Sequence, residues 1–469
     1  MVTDSATIPF AQGGVLMKKY AISIMLSVLM GLFLTGCAGG VETFKTITEN
    51  EVFQSVPMMA GETLSFTELE EVGDGNYQIH ADNTGLEDYN RYLTLLEEEG
   101  FKKYADNGKE GLEGYVYISH YQKDNLLVVV TYYAKLQRTT ITAAFDQAIP
   151  GSLIYKDEYI ANNIEGKKTT LTMNELYTSG NSFIFQLKNG HFILNDGGQT
   201  EDLPYILDYL DELAPDGEKP IVDAWIVSHT HGDHMGPFVT LADQPKYAKR
   251  LSVEAIYYTA ASDAAFAEQG PGDSSSALDF YVNAMQGLLK TAAGEKTPVY
   301  RMRTGERHYF NDITMDVVYT VDLLSHTNWK TWNATSTVLM YTVEGQKVFI
   351  TADTDYECQM VLLDVYDDEY FNLDVYQTPH HGGNVYNEFT RHITVKTVLL
   401  PSPRTDRLKQ SLLSRTLQNE YLSSRAQEST SFGDGGVRLT FPYEVGTYEK
   451  LPLIDWIYHK DELADLLNS

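Results

Sequence analysis

Four residues with metal-binding side chains lie close together near the middle of this 469-residue sequence. They are His229, His231, Asp233 and His234, and they form the pattern H-x-H-x-D-H. Neutral imidazole and carboxylate groups suit zinc and other borderline divalent cations. Isolated histidines are often unrelated to metals, but four such residues at this spacing are rarely a coincidence. The segment therefore predicts a metal site.

The residues around this segment indicate how it is presented. Residues 224–227 form an apolar run with the length and the branched side chains of a buried strand. A tight turn after such a strand would direct all four side chains into one cavity. We expect Gly232 to let the backbone bend there without a side chain that obstructs the metals.

The composition limits the possible partners. The chain has a net charge of −30, and 43% of its residues are hydrophobic. An acidic surface repels nucleic acid and anionic lipid, because affinity for polyanions depends mainly on lysine and arginine. A nucleic-acid partner is therefore not expected. The length predicts two domains and a leader.

The amino terminus predicts an export signal. A short basic stretch precedes an apolar run over 20–34, which is shorter than the ~20 residues that span a bilayer. The run ends in L-T-G-C, which resembles the lipobox of bacterial lipoproteins, with Cys37 as its last residue. That resemblance implies that residues 1–36 are removed and that Cys37 is lipidated. The mature chain would then be anchored to the cell membrane on its extracytoplasmic face; cleavage near Ala38 without a lipid is the alternative.

The rest of the chain divides into two units after a short tether over residues 37–50. Residues 51–150 predict a small α+β domain, with an amphipathic helix over 88–100 that is followed by strands. Residues 165–469 predict many strands with helices between them, which is typical of two sheets covered by helices.

Three other chemically active residues do not form clusters. His80 and His120 each stand alone in the small domain, and we interpret them as surface or satisfied core histidines. Cys358 is the second of only two cysteines in the chain. We expect it to be a small buried apolar residue.

Three more segments place chemically active residues at the ends of predicted strands. A strand over 191–195 is followed by D-G-G, which begins at Asp196. A strand over 347–351 is followed by Asp353, and a short strand over 373–377 leads into P-H-H-G.

Together with H-x-H-x-D-H, these segments resemble the metallo-β-lactamase-fold hydrolase superfamily. The resemblance covers about two thirds of the chain. It implies an α/β fold, the αββα sandwich, preceded here by the small α+β domain. It also implies a metal-dependent hydrolase with the metals at one rim between the two sheets.

The resemblance assigns the ligands of two metal ions. The first ion takes two histidines of the cluster and the second takes an aspartate and a histidine: His229 and His231, then Asp233 and His234. Asp353 would be shared by both ions, and one of His380 and His381 would complete the second site while the other contacts substrate. Asp196 would hold a ligand histidine in the correct tautomer. The expected ions are two Zn²⁺, with Mn²⁺ or Fe as alternatives.

The sequence departs from this pattern at one position. Many members supply a third histidine to the first metal before the strand of the shared aspartate, whereas this chain has Asn333 near that place. The surrounding segment resembles the branch that contains the extracellular domain of competence DNA-uptake proteins and the surface phosphorylcholine esterases. His326 could substitute from a loop, but we interpret it as a solvated loop residue. We expect Asn333 to lie beside the metals, with the first site weaker, open to water or only partly occupied.

The function implied is hydrolysis of a phosphoester or phosphodiester by a metal-activated hydroxide. Asp233 or the free member of the His380–His381 pair would move the proton. The substrate would be a small molecule or a polymer of the cell envelope. Two alternatives remain: an extracellular nuclease, which the acidic charge disfavours, and a surface binding lipoprotein with a non-catalytic metal site.

Overall fold

The structure is a computed structural model. It describes residues 46–61, 64–177, 179–215, 217–262, 284–324, 331–402, 413–433 and 435–454. The predicted leader, Cys37 and His326 lie outside these residues. Among the helices of the described residues, none has the length and apolarity that crossing a membrane requires.

The first folded unit, called here the amino-terminal module, is an antiparallel sheet covered by one helix. Its strands are β1 (Ser65–Phe66), β2 (Glu70–Gly73), β3 (Asn76–Asp82), β4 (Lys102–Asp106), β5 (Val116–Lys123), β6 (Leu126–Tyr133) and β7 (Arg138–Phe145). They are ordered β1-β3-β7-β6-β5-β4, with β2 paired to β3. Helix α1 (Leu86–Glu98) buries Tyr89, Tyr92, Leu93 and Leu96 against this sheet. Their spacing of three and four residues places them on one face of the helix.

The second unit, called here the hydrolase domain after the function that the resemblance implies, contains two sheets. The first sheet contains β8 (Thr170–Met173), β9 (Ser182–Gln186), β10 (Phe192–Asp196), β11 (Ile221–Val227), β12 (Ser252–Val253), β13 (Ile256–Tyr258), β14 (Val299–Arg301), β22 (Val437–Thr440) and β23 (Glu449–Lys450). Its order is β14-β13-β11-β10-β9-β8-β22-β23, and β12 pairs with β11. The second sheet contains, in spatial order, β15 (Arg307–Phe310), β16 (Ile313–Tyr319), β17 (Val338–Val343), β18 (Gln346–Ile350), β19 (Asn372–Gln377), β20 (Thr394–Leu400) and β21 (Glu428–Ser431).

Helices follow many of these strands. Those in the described residues after the module are α2 (Glu158–Ala161), α3 (Leu203–Leu213), α4 (Gly232–Asp243), α5 (Pro245–Ala248), α6 (Met285–Ala293), α7 (Tyr356–Val365), α8 (Asn387–Thr390) and α9 (Leu413–Arg425). Short 3-10 turns over 332–335 and 379–382 lie next to strands of the second sheet.

The two sheets pack face to face, and helices cover their outer faces. Along β11, Ala224 and Ile226 lie in the core between the sheets, while Trp225 packs against the helices and brings its ring 4.5 Å from that of Phe238 on α4. This alternation follows from the period of two in a strand. Burying one such large side chain stabilises the fold by about 1.5–3 kcal/mol. The layer order is helix, sheet, sheet, helix, so the expected αββα sandwich after a small α+β domain is confirmed.

The module and the hydrolase domain share buried contacts. Leu112, Val116 and Tyr133 of the module belong to the same apolar cluster as the residues between the second sheet and α7. The side-chain amide of Asn107 also donates to the backbone oxygen of Gly305 at 3.1 Å. The module therefore packs directly on the hydrolase domain.

Candidate metal centre

The predicted site residues lie at four strand ends on one edge of the hydrolase domain. Strand β10 runs parallel to β11, and β18 runs parallel to β19. Binding sites in such sheets form outside the carboxyl ends of the strands. In chain order, these ends carry Asp196, the segment 229–234, Asp353 and the pair His380–His381.

The first of two groups of ligand-type atoms gathers four side chains around a shared point. Its members are Asp233, His234, Asp353 and His381, each with one ligand atom within 4.8 Å of all the others. Nε2 of His381 lies 3.1 Å from Oδ2 of Asp233 and 3.3 Å from Oδ2 of Asp353. These are the residues predicted for the second metal.

The second group contains His229, His231 and Asp353, again within 4.8 Å of one another. Nε2 of His229 lies 3.0 Å from Nδ1 of His231, so the two rings converge on one side of the shared aspartate. The group has three members where the other has four. Asp353 belongs to both groups, as the prediction of a shared carboxylate requires.

Asn333 is linked to this centre through its backbone, whose C=O accepts from the N–H of Ser336 at 3.1 Å. It belongs to the 3-10 turn over 332–335 and is 8% exposed. The residues after this turn touch the site: Oγ of Ser336 accepts from the backbone N–H of Asp353 at 3.3 Å. The side-chain oxygen of Asn333 has no hydrogen-bond partner among the described atoms. Its role beside the metals stays a prediction.

Asp196 fixes the orientation of two histidines. Its Oδ2 accepts from Nδ1 of His234 at 2.9 Å and from the hydroxyl of Ser228 at 2.8 Å. Because that hydroxyl donates to Asp196, its oxygen is available to accept from Nδ1 of His229 at 3.1 Å. Both rings then carry their proton on Nδ1 and turn Nε2 toward the ligand groups. Sequence reasoning anticipated Asp196 but missed Ser228.

The structure separates the two adjacent histidines that the sequence could not separate. His381 belongs to the four-residue group and its side chain is 9% exposed. The side chain of His380 is 30% exposed, and its Nε2 lies 3.8 Å from Oδ2 of Asp353. Both residues adopt left-handed backbone conformations, with φ of 50° and 54°. Such strain in residues other than glycine is concentrated at functional sites.

Charge in the centre is distributed unevenly. Burial and the neighbouring ring of His234 hold the pKa of His229 well below its ordinary value, so His229 is neutral. Burial opposes charge on His234 as well, but Asp353 and Asp196 raise its pKa well above the ordinary value. Burial would raise the pKa of Asp353, yet His234 and His381 hold it well below its usual range. Protons on His234 and His381 balance these carboxylates when no cation is bound.

The donor geometry fits divalent cations. Nε2 of His234 is buried, has no hydrogen-bond partner among the described atoms, and lies 3.2 Å from Oδ1 of Asp353. Nδ1 of the same ring donates to Asp196, so the neutral ring turns a lone pair toward a carboxylate oxygen. Two lone pairs at this distance repel each other unless a proton or a cation lies between them. Neutral imidazole with carboxylate oxygens is the donor set that zinc takes in proteins.

Glycines around the site are needed for packing, but Gly232 is not among them. A Cβ on Gly236 would lie 2.4 Å from the backbone of Thr200, and one on Gly198 would lie 2.4 Å from the carboxylate of Asp202. Gly232 is the exposed first residue of α4, and a Cβ there would meet nothing within 4 Å. The expectation that Gly232 keeps a side chain away from the metals is therefore wrong. Asp233 in the first helical turn is favoured by the helix dipole.

Residues 177–385 match the family model of the metallo-beta-lactamase superfamily. Among curated proteins, none matches the chain significantly. Among solved structures, the chain is similar to Tm1679, a metal-dependent hydrolase of the beta-lactamase superfamily, at 13% identity and a TM-score of 0.32, over 58% of this chain and 98% of that one. It is also similar to Zn²⁺-bound PqqB from Methylobacterium extorquens, at 10% identity and a TM-score of 0.34, over 56% and 87%. A metallo-beta-lactamase motif mutant from Cronobacter sakazakii matches at 13% identity and a TM-score of 0.27, over 45% and 75%.

The sandwich fold, the two ligand groups and the family match define one class of protein. Residues 177–385, which include every member of both ligand groups, have the features of a metal-dependent hydrolase of the metallo-β-lactamase superfamily. At these identities and TM-scores, the solved structures carry no argument about its substrate.

Proposed function

We propose that this hydrolase cleaves phosphoester or phosphodiester bonds in a small molecule or a polymer of the cell envelope. The observation that supports it most is the pair of ligand groups that share Asp353. Two divalent cations bound there would lower the pKa of a water to ~7 and offset the negative charge that develops on a phosphoryl group. The Asn333 segment supports phosphoester chemistry, since it resembles the phosphorylcholine esterase branch of the superfamily.

The chain's own residues would hold and orient the reacting groups. Asp196 and Ser228 fix the protons of His229 and His234 on Nδ1, so both Nε2 atoms carry a lone pair that can bind metal. Asp353 would contribute a ligand to both ions. Zn²⁺ is the expected ion, with Mn²⁺ or Fe as alternatives, and the group with four members should fill first because it offers one more ligand.

His380 and Asp233 are the candidates for moving a proton. His380 is the more exposed member of the histidine pair and lies beside the shared carboxylate, so a substrate can reach its ring. Burial alone would raise the pKa of Asp233, but the larger combined effect of His234 and His381 lowers it, and the carboxylate remains charged. A charged carboxylate beside a metal-bound substrate can accept a proton. His381 would bind metal and leave proton transfer to His380 and Asp233.

The location proposed for this activity is the extracytoplasmic face of the cell membrane, with a lipid on Cys37. It rests on the basic stretch, the apolar run and the L-T-G-C segment of the leader. The full chain expressed in bacteria should incorporate labelled palmitate and fractionate with membranes. A Cys37→Ala variant should do neither. Equal labelling of both proteins would overturn the anchor and leave the hydrolase proposal untouched.

The activity is tested on protein that begins at Ala38, loaded with Zn²⁺ or Mn²⁺. We expect hydrolysis of bis-p-nitrophenyl phosphate or p-nitrophenyl phosphate, and none of a chromogenic cephalosporin or an acyl thioester. Cleavage of single-stranded DNA at low salt as the main activity would favour the nuclease alternative. Tight binding of two ions with no turnover on any of these substrates would favour a binding lipoprotein.

A pair of histidine variants tests the proposed division of labour. His380→Ala should keep two equivalents of Zn²⁺ and lose about 10²- to 10⁴-fold in turnover, the usual contribution of a positioned acid or base. His381→Ala should lose metal. The matched control is His392→Ala, which removes a surface histidine that pairs with Asp368 at 2.7 Å. His380→Ala with the turnover of the control would remove His380 from the mechanism.

A further inference from the structure

Asn181 lies against the shared carboxylate, although nothing in the sequence marks it. It directly precedes strand β9 and is fully buried. Its side-chain nitrogen lies 3.4 Å from Oδ1 of Asp353, the oxygen that also faces His234. It is an uncharged side chain in contact with the carboxylate that both ligand groups share.

The backbone holds Asn181 in this place whatever its side chain. Its N–H donates to the backbone oxygen of Asp233 at 3.1 Å, and its C=O accepts from the N–H of Gly198 at 2.8 Å. The preceding residue is Gly180, and a Cβ there would lie 2.6 Å from the same oxygen of Asp233. Close packing against the ligand segment and the D-G-G turn therefore fixes the Cα of Asn181, and a substitution tests the amide alone.

The orientation of the amide follows from its contacts. Both oxygens of Asp353 face ring nitrogens, Oδ1 at 3.2 Å from Nε2 of His234 and Oδ2 at 3.3 Å from Nε2 of His381, so the carboxylate is an acceptor. The amide must then present N–H rather than C=O to Asp353, since two acceptors at 3.4 Å would repel each other.

The other end of the amide is unsatisfied. Oδ1 of Asn181 is buried and has no hydrogen-bond partner among the described atoms. An unsatisfied buried acceptor costs about 1–3 kcal/mol, a cost that an apolar side chain in the same place avoids. The amide is therefore a poor choice for packing alone, and its benefit must come from the N–H that faces Asp353.

We infer that Asn181 is a positioning residue that sets the rotation of the Asp353 carboxylate. An ionised carboxylate has about four lone-pair sites. The N–H of Asn181 occupies one on Oδ1, while Oδ2 remains directed at His381 and His380. With its rotation fixed in this way, one carboxylate can serve both ligand groups. The inference rests on the metal centre of the proposed function but not on its substrate.

The test measures Zn²⁺ binding by competition with a chromogenic chelator and the coordination of Co²⁺ by its visible spectrum, both without substrate. The variants are Asn181→Leu, which keeps the branch at Cγ without polar atoms, and Asn181→Ala. We expect both to bind at least one Zn²⁺ about 10- to 100-fold more weakly, the usual cost of removing a residue that orients a ligand. The Co²⁺ spectrum should change as well. The metal-free Asn181→Leu protein should unfold at a denaturant concentration no lower than wild type.

The matched control is Asn174→Ala, which removes another buried amide, one that donates to Oγ of Ser182 at 2.8 Å rather than to Asp353. It should keep wild-type Zn²⁺ affinity even where it lowers stability. Asn181 variants that bind Zn²⁺ like wild type would overturn the inference. A wild-type protein that binds two ions but cleaves no phosphoester would overturn the substrate proposal and leave this measurement intact.

Discussion

Within the described parts of the chain, two buried clusters of histidine and carboxylate side chains differ in their suitability to bind metal. The first is the metal centre at the strand ends. The second, called here the interdomain cluster, consists of His120 from the module with Ser152, Glu306 and His308. Glu306 and its two histidines are as deeply buried as Asp353 and His234, so the burial and residue types of these central side chains do not distinguish the two clusters.

The difference lies in how protons and acceptors are balanced. In the interdomain cluster, one carboxylate meets two histidines: Oε1 of Glu306 accepts from Nε2 of His120 at 2.9 Å, and Oε2 lies 3.3 Å from Nε2 of His308. Nδ1 of His308 pairs with the hydroxyl of Ser152 at 2.9 Å. Each oxygen of Glu306 therefore faces a histidine Nε2, the guanidinium of Arg303 lies 3.6 Å from Oε1, and no metal ion is needed.

Around the four-residue group of the metal centre, three carboxylates surround two histidine rings, His234 and His381, so neutral rings supply fewer protons than there are carboxylates. The single ring of His234 contacts both Asp196 and Asp353, and its Nε2 lies 3.9 Å from Oδ1 of Asp233. Neither of the two ligand groups among the described residues includes Glu306. A cluster with more carboxylates than histidine N–H donors predicts a metal site, whereas a cluster whose carboxylate is paired by the surrounding donors is a structural contact.

The largest expected effect comes from Asp353→Asn. The variant removes the one negative charge that both ligand groups share, so Zn²⁺ content should fall from two equivalents to one or none. Turnover should fall with it by about a thousandfold or more, since bound ions supply several kcal/mol of stabilisation at about 1.4 kcal/mol per factor of ten. Metal analysis and bis-p-nitrophenyl phosphate hydrolysis measure both. Two retained equivalents of Zn²⁺ would contradict the shared role of Asp353.

Glu306→Gln should have the opposite pattern. It breaks a buried charged contact between module and hydrolase domain, which typically destabilises by about 3–5 kcal/mol. Metal content and turnover of the folded protein should not change. Denaturant unfolding and metal analysis, run beside Asp353→Asn, separate the two clusters. Loss of metal from Glu306→Gln would show that the interdomain cluster supports the centre after all.

Acid unfolding provides an independent check on Glu306. Burial would raise its pKa, but hydrogen bonds from His120 and His308 hold it well below the ordinary value of 4.5. A lowered carboxyl pKa contributes stability above pH 4.5 that is lost as the pH falls through the folded value. Wild type should therefore lose more stability below pH 4.5 than Glu306→Gln does. Parallel acid curves would mean that Glu306 is not paired.

The sequence predicted the parts of the site that depend on local order. The segment 229–234 follows β11 directly, and its ligand spacing is fixed by one turn of chain, so four residues could be named. Asp353 was identified because its segment resembles the strand of the superfamily that ends in the shared aspartate. The choice of His381 over His380 was not available, because it depends on two left-handed backbone conformations that no spacing rule supplies.

Other features depend on contacts between distant segments. Ser228 and Asn181 act through hydrogen bonds to Asp196 and Asp353 that only the packed sheets create. Helix α4 was missed because Pro237 lies within it, and proline is usually excluded from helix interiors. His120 was read as a surface or satisfied core histidine, and its contact with Glu306 supports the second alternative.

The smallest of these effects is a pH dependence that separates metal-free from metal-loaded protein. Burial lowers the pKa of His381, but Asp353 and Asp233 raise it more, to about 9 from 6.5. A raised histidine pKa contributes stability that is complete below pH 6.5 and is lost as the pH rises through 9. At 1.36 kcal/mol per pKa unit, the metal-free protein should lose about 3 kcal/mol over this window.

Bound Zn²⁺ replaces the proton on His381, so the loaded protein should not show this loss, and its metal affinity should increase as the pH rises. Urea unfolding of chelator-treated and Zn²⁺-loaded protein at pH 6.5 and 9.5 measures the contrast. His381→Ala is the control, and it should flatten the metal-free curve. A metal-free wild type that is equally stable at both pH values would mean that His381 is neutral without metal. The neighbouring carboxylates would then not hold a second proton on His381, and this ring would not distinguish the metal centre from the interdomain cluster.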